Sequence, residues 1–149
     1  MQITVTKEFE FDAAHHLTKY YGKCERVHGH TYKLLVTVSG ELSNNDMLID
    51  FIILKRVVKK YVLDYLDHHD LNTLFENPTT EKVALWIWDK LENLDSLLIE
   101  ELDDPNLDAE IKSYLTSTEN IDKSNQNNKI SLKEIKLYES KTSYVTLSK

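Results

Sequence analysis

The stretch HGHTYKLLVTVSG, residues 28–40, decides the fold because its even-numbered positions form one continuous face. Two histidines, His28 and His30, open that face, and the side chains that follow on it are Tyr32, Leu34, Val36 and Val38. Such alternation predicts a β-strand with one side in the core. Alternate residues of a strand lie about 6.5–7 Å apart. Both imidazoles therefore point to the core side and are able to converge on one point.

The preceding segment, residues 2–11, alternates in the same way. Its apolar positions share one parity: Ile3, Val5, Phe9 and Phe11. This pattern predicts a first strand. If the strand stays extended to residue 15, His15 faces the core side and His16 faces away. Pairing of the two strands would then bring His15 close to His28 and His30.

Two helices are predicted in the middle of the chain. Asp50 is a typical N-cap for a helix over residues 51–66, which carries an apolar stripe at helical spacing. The sequence Asn-Pro-Thr-Thr-Glu, residues 77–81, predicts a second helix start with Pro78 near the first helical position. Apolar residues continue that second helix to Leu98.

The chain closes with two strand-like runs, residues 130–138 and 143–147. The order β-β-α-α-β-β predicts an α+β fold, a four-stranded antiparallel sheet with two helices on one face. We expect a single domain over residues 1–149, with an insertion at 99–129. Within it, a short helix would use Leu102, Leu107, Ile111 and Leu115, and residues 119–129 would form a mobile loop.

Composition limits the function. A net charge of −7 argues against nucleic-acid or anionic-membrane partners, which call for basic patches. We find neither a membrane-spanning apolar run nor a signal-like N-terminus, and a single cysteine, Cys24, fits a reducing compartment, so a cytoplasmic protein is expected. An anionic small substrate would need a local cluster of cations.

The three histidines of the two strands predict a metal site. Three neutral imidazoles favour Zn²⁺ and leave its fourth position open, as in catalytic sites. Two alternatives stay open: Cys24 completes a closed structural site, or the histidines are ordinary polar residues of the core.

Cys24 lies four residues before His28, where a nearby cation would favour its thiolate. It is then a ligand, a nucleophile or base, or an inert buried thiol. Asp67 and His68 form a carboxylate–imidazole couple that suits general acid–base work. The alternative for this couple is a helix C-cap with a charge-compensating histidine.

Five motifs in order resemble the 6-pyruvoyltetrahydropterin synthase / 6-carboxytetrahydropterin synthase family. They are FDAAH (11–15), CxxxHGH (24–30), LDHHxLN (66–72), NPTTE (77–81) and ESxTS (139–143). The resemblance covers about residues 2–98 and 130–148. It implies a T-fold (tunnelling fold), with trimers whose sheets close into a barrel, usually paired into hexamers, and with active sites between subunits.

The resemblance also implies the roles of individual residues. Zn²⁺ would be held by His15, His28 and His30. Cys24 would be the catalytic thiolate, working with Asp67 and His68 of a neighbouring subunit. Glu139 would anchor the pterin ring by two parallel hydrogen bonds, helped by Thr79 and Thr80. The substrate would be 7,8-dihydroneopterin triphosphate, and the products 6-carboxy-5,6,7,8-tetrahydropterin for queuosine synthesis, acetaldehyde and triphosphate.

One residue departs from the carboxy-forming pattern. Glu25 follows Cys24, and in a folate-linked branch a glutamate here resembles the base that yields 6-hydroxymethyl-7,8-dihydropterin. The hydroxymethyl product is therefore one alternative. The 6-pyruvoyl product, which the family resemblance also implies, is another. Two other classes stay open: a different three-histidine metalloenzyme, such as a cupin-like protein, and a structural zinc or pterin-binding module.

Overall fold

The computed structural model describes residues 1–43, 45–116 and 130–149. Two long strands, β1 (Ile3–His15) and β2 (His28–Gly40), pair antiparallel along their whole length. The register places Ile3 opposite Gly40 and His15 opposite His28. The alternation in both segments therefore predicted the strands, and the extension of β1 to His15 is confirmed.

Three further strands complete the sheet in the order β3-β1-β2-β4-β5. β4 (Ser131–Tyr138) pairs antiparallel with β2, and β5 (Tyr144–Ser148) pairs antiparallel with β4. β3 is only His69–Asp70 and runs parallel to β1. The α+β class is confirmed, but the prediction of four antiparallel strands was wrong, because this two-residue edge strand makes the sheet five-stranded and mixed.

The helices follow the predicted order with more subdivisions. Their bounds are α1 (Phe51–Val58), a π-helical segment (Lys59–Leu63), α2 (Asp64–Leu66), α3 (Thr80–Leu91), α4 (Leu94–Leu102) and α5 (Ala109–Thr116). Short 3₁₀ turns occupy Lys23–Glu25 and Leu71–Thr73. The predicted second helix is thus two helices, since Asn93 adopts a non-helical conformation (φ −93°, ψ 46°).

One helix start was predicted correctly, and the other lies two residues after the predicted position at Pro78. Asp50 caps α1, its carboxylate accepting the Ile52 N–H at 2.7 Å. α3 is capped by Thr79, whose hydroxyl accepts the Lys82 N–H at 3.2 Å. Pro78 therefore precedes the cap and is not at the first helical position. This order lets the threonine hydroxyl satisfy a free N–H group of the first turn.

The core lies between one face of the sheet and the helices. Tyr32, Leu34, Val36 and Val38 of β2 are fully buried, as are Ile53, Leu54 and Val57 of α1 and Val83, Ala84 and Ile87 of α3. Each large apolar side chain removed from water stabilises the fold by about 1.5–3 kcal/mol. Since His15 lies on this same face, burial of the sheet also buries that imidazole, which is 1% exposed.

Helix α4 is tied to α1 by ion pairs as well as by apolar packing. The carboxylate of Glu101, 2% exposed, accepts a hydrogen bond from Arg56 Nε at 2.7 Å and lies 3.5 Å from Lys60 Nζ. Arg56 also reaches Asp104 at 3.3 Å. The buried charge is thus compensated from two sides.

Part of residues 99–129 is helical. Leu102 ends α4, and α5 includes positions 111 and 115, so the predicted short helix exists with different bounds. Residues 117–129, with the predicted loop at 119–129, lie outside the described residues. The assignment of 99–129 as an insertion stays a prediction. No helix in the described ranges has the length and apolar character needed to span a bilayer.

Candidate metal and active site

The three predicted metal ligands meet at the end of the β1–β2 pair. His15 lies directly opposite His28, and His30 is two residues further along the same face. The ring centroids are 4.6–5.0 Å apart, and one ligand nitrogen from each ring lies within 4.8 Å of the other two. The parity of the two strands is the cause of this convergence.

Backbone carbonyls determine which nitrogens face the centre. Nδ1 of His15 lies 2.9 Å from the Pro78 carbonyl oxygen, and Nδ1 of His28 lies 2.7 Å from that of Arg26. A carbonyl only accepts hydrogen bonds, so both Nδ1 atoms carry a proton. In the neutral rings each Nε2 therefore presents a lone pair, which is how metal-binding histidines are commonly oriented.

The lone pairs that face the centre of the cluster are suited to bind a cation. Nε2 of His15 and Nε2 of His28 are 3.0 Å apart, a repulsive contact unless a proton or a metal ion lies between them. Nε2 of His30 is buried without a hydrogen-bond partner. Ligand nitrogens of a tetrahedral zinc site are separated by about 3.3 Å, given Zn–N bonds of about 2.0–2.1 Å. The residues present therefore suit Zn²⁺.

The protonation of His30 agrees with this interpretation. Desolvation lowers the pKa of His30, the Glu139 carboxylate opposes that change, and His15 and His28 reinforce it. The neutral imidazole, the form that binds a metal ion, is therefore favoured.

Glu139 follows β4 and reaches the same cluster. Its Oε1 lies 3.4 Å from His15 Nε2 and 3.7 Å from His30 Nε2. It also lines a cavity of about 360 Å³ between the end of the sheet and the start of α3. The residues around this cavity are Leu17, Tyr20, Thr79, Thr80, Glu81, Ser143, Tyr144 and Val145. The structure thus brings Glu139, Thr79 and Thr80 together, next to the histidines.

Cys24 is half-buried in the 3₁₀ turn before β2. Its carbonyl oxygen accepts a hydrogen bond from the Leu17 N–H at 2.7 Å. Within the described ranges, two groups of ligand atoms lie mutually close, one formed by the three histidines and one by Asp12, Asp67 and His68, and the Cys24 sulfur belongs to neither. Glu25 is exposed and lines a separate depression with residues 16–21. That depression shares Leu17 and Tyr20 with the Glu139 cavity.

Asp67 and His68 form a second cluster, on the opposite face of β1. His68 Nδ1 lies 2.9 Å from Asp67 Oδ1, which also accepts the Asp12 N–H at 3.0 Å. The Asp12 N–H is the main cause of the lowered pKa of Asp67; desolvation opposes it, and His68 adds to it. Within one chain, the couple and the histidine cluster thus lie on different faces of the strand pair.

Asp12 was not predicted as part of this cluster. The Asp12 carbonyl accepts the His68 N–H at 2.6 Å, and the Asp12 carboxylate accepts the Thr31 hydroxyl at 2.5 Å. His68 is held at φ 60°, a left-handed conformation that is uncommon outside glycine. The alternation of β1 places Asp12 on the polar face of the strand, which was the only indication that the sequence offered for it. The sequence pattern did not indicate that β3 would pair beside it.

The comparisons with known proteins agree with the geometry. A family model for 6-pyruvoyl tetrahydropterin synthase matches residues 4–149. A 6-carboxy-5,6,7,8-tetrahydropterin synthase of Synechocystis is 41% identical over 95 residues, covering 59% of this chain and 74% of the relative. A dihydroneopterin monophosphate aldolase of Pyrococcus furiosus is 41% identical over 91 residues, covering 61% and 76%.

The fold has solved counterparts. A 6-pyruvoyl tetrahydropterin synthase structure from Caenorhabditis elegans aligns with a TM-score of 0.68 at 23% identity, covering 100% of this chain and 96% of that one. The predicted T-fold is therefore confirmed. Together with the match over residues 4–149, it shows that the chain belongs to the 6-pyruvoyl tetrahydropterin synthase family of lyase-type enzymes.

Proposed function

We propose that the protein is a zinc-dependent 6-carboxy-5,6,7,8-tetrahydropterin synthase. It would convert 7,8-dihydroneopterin triphosphate and water to 6-carboxytetrahydropterin, acetaldehyde and triphosphate, a step of queuosine synthesis. The observation that carries the proposal is the convergence of one ring nitrogen from each of three histidines beside a cavity that Glu139 lines. The name of the Synechocystis relative supports the carboxy product.

In this proposal, His15, His28 and His30 hold the metal through Nε2, with two of the rings oriented by carbonyl groups. When bound there, Zn²⁺ would supply Lewis-acid chemistry, polarising the side-chain hydroxyls of the substrate and making the adjacent C–H more acidic. Cys24 moves a proton at that side chain. Glu139 holds the pterin by accepting two parallel hydrogen bonds from its guanidine-like edge, while the hydroxyls of Thr79 and Thr80 border the ring.

Asp67 and His68 would serve the site of a neighbouring copy in a trimer or hexamer. The support for this arrangement is their position on the face of β1 opposite to His15, next to Asp12. Complementation tests it: Cys24→Ala and His68→Ala chains, each inactive alone, regain up to about a quarter of the activity when coassembled in equal amounts, because one site in four receives both intact groups. Absence of any recovery contradicts shared sites.

A second candidate is the hydroxymethyl branch. Glu25 follows Cys24 directly, and its depression adjoins the Glu139 cavity through Leu17 and Tyr20. The Pyrococcus furiosus relative is named an aldolase acting on dihydroneopterin monophosphate, which makes carbon–carbon cleavage to a shorter product a specific alternative.

Product analysis separates the candidates. The purified protein is incubated with 7,8-dihydroneopterin triphosphate, and its products are identified by mass spectrometry beside those of Cys24→Ala and Glu25→Ala. We expect the carboxy product from the wild type and from Glu25→Ala. Cys24→Ala should retain zinc but lose turnover. A hydroxymethyl product that depends on Glu25 would establish the second candidate, and loss of zinc in Cys24→Ala would indicate a structural metal site.

A further inference from the structure

Glu139 lies closer to the metal-binding nitrogens than a pterin anchor requires. Its Oε1 is 3.4 Å from His15 Nε2 and 3.7 Å from His30 Nε2. Nδ1 of His15 is protonated by its bond to the Pro78 carbonyl, so Nε2 of the neutral ring faces the carboxylate with a lone pair. A lone pair and an anionic oxygen at this distance repel each other unless a cation lies between them.

Three of the six edges of a coordination tetrahedron are within about 0.3 Å of the lengths expected for zinc. Zn–N bonds of about 2.0–2.1 Å and Zn–O bonds of about 2.0–2.2 Å give edges of about 3.3–3.5 Å. The observed edges are 3.0 Å between His15 and His28, 3.4 Å from Glu139 to His15 and 3.7 Å from Glu139 to His30. We infer that Glu139 is the fourth ligand of the ion in the substrate-free enzyme.

The remaining edge requires a side-chain rotation. The three histidine nitrogens lie within 4.8 Å of one another, but no Glu139 oxygen lies within 4.8 Å of all three. The Glu139 carboxylate is therefore close to the nitrogens of His15 and His30 and farther from that of His28. The backbone of Glu139 is held by its N–H bond to the Ser143 carbonyl at 3.1 Å. The side chain is 29% exposed and borders the open cavity, which leaves the carboxylate room to turn about its own bonds.

The consequence is that the ion and the pterin compete for the orientation of one carboxylate. With Oε1 turned toward the histidines, the carboxylate would have to rotate toward the cavity before both of its oxygens accept parallel hydrogen bonds from the pterin edge. Pterin binding would withdraw the carboxylate and open a coordination position, which the side-chain hydroxyls of the substrate then occupy. The identity of this substrate rests on the proposed function, whereas the coordination in the resting enzyme does not.

Metal affinity and spectroscopy test the inference without turnover. Zinc affinity is measured by competition with a chromophoric chelator, and the Co²⁺-substituted protein is followed by its visible absorption. Glu139→Gln and Glu139→Ala should bind zinc at least about tenfold more weakly than the wild type and change the Co²⁺ spectrum. Glu81→Gln is the matched control, since Glu81 lines the same cavity. It should leave both quantities unchanged.

A pterin without side-chain hydroxyls, 6-methylpterin, is the probe for withdrawal of the carboxylate. It should change the Co²⁺ spectrum of the wild type but not that of Glu139→Ala. Zinc affinity and Co²⁺ spectra of both Glu139 variants equal to those of the wild type would overturn the inference. If those variants also lost turnover, Glu139 would be an anchor only, and the proposed function would stand.

Discussion

If the histidine cluster holds zinc, removing the metal should destabilise the protein by an amount that mass action lets us estimate. Without an ion, two Nε2 lone pairs face each other at 3.0 Å and the buried Nε2 of His30 has no partner. Zinc at 100 times its dissociation constant stabilises a folded site by about 2.7 kcal/mol. For a chain of 149 residues each kcal/mol shifts the unfolding midpoint by about 2–4 °C. We therefore expect EDTA to lower the midpoint by about 5–11 °C.

The assay is thermal unfolding by circular dichroism at one fixed protein concentration, with EDTA and then with excess zinc. His28→Asn should abolish the shift, because asparagine lacks the Nε2 that faces the other histidines. Asparagine is chosen because its amide is still able to donate to the Arg26 carbonyl. His69→Asn is matched to it, since Nδ1 of His69 lies 2.8 Å from the Asp67 carbonyl in the same local pattern, outside the cluster. Equal midpoints with and without zinc, or a full shift in His28→Asn, would refute the reasoning.

Tyr32→Phe removes the hydroxyl 3.3 Å from Nδ1 of His15, a proposed metal ligand, and should weaken zinc binding about tenfold in a chelator competition. The pKa of Asp67 is lowered, chiefly by the Asp12 N–H. The ionised carboxylate therefore stabilises the folded protein fully above about pH 4, and this stabilisation is lost as the pH falls further. The difference in unfolding free energy between the wild type and Asp67→Asn should therefore shrink toward pH 2 in urea titrations. Glu101→Gln should lower the unfolding free energy by about 1–3 kcal/mol in the same assay, because partly exposed Arg56 loses its buried charged partner.

The elements that carry the histidines were predictable because their signals are local. The parity of residues 3–15 and 28–40 determines which side chains face the core, and the register of β1 and β2 follows from pairing those faces. The caps at Asp50 and Thr79 are likewise local, since each oxygen accepts an N–H group two or three residues ahead. Local patterns therefore sufficed for the metal cluster.

The second cluster could not be predicted in the same way. β3 has only two residues, too few for any periodicity, and it exists because His68 adopts a positive φ and donates to the Asp12 carbonyl. These contacts join positions 55 or more residues apart in the chain. The approach of Glu139 to the histidines has the same origin, because it depends on the β2–β4 register and not on any pattern near residue 139.

The two clusters together constrain how a complete active site is assembled. His15 and Asp12 are three residues apart on β1, and in a strand an odd separation places side chains on opposite faces of the sheet. The side chains of the histidine cluster lie on the inner face, whereas the Asp67–His68 couple lies beside the Asp12 carboxylate on the outer face. The two clusters nevertheless adjoin, because His30 also borders the outer cavity that His68 lines. If the proposed reaction needs both clusters at one substrate molecule, we expect a second copy of the chain to supply the Asp67–His68 couple, as the coassembly experiment tests.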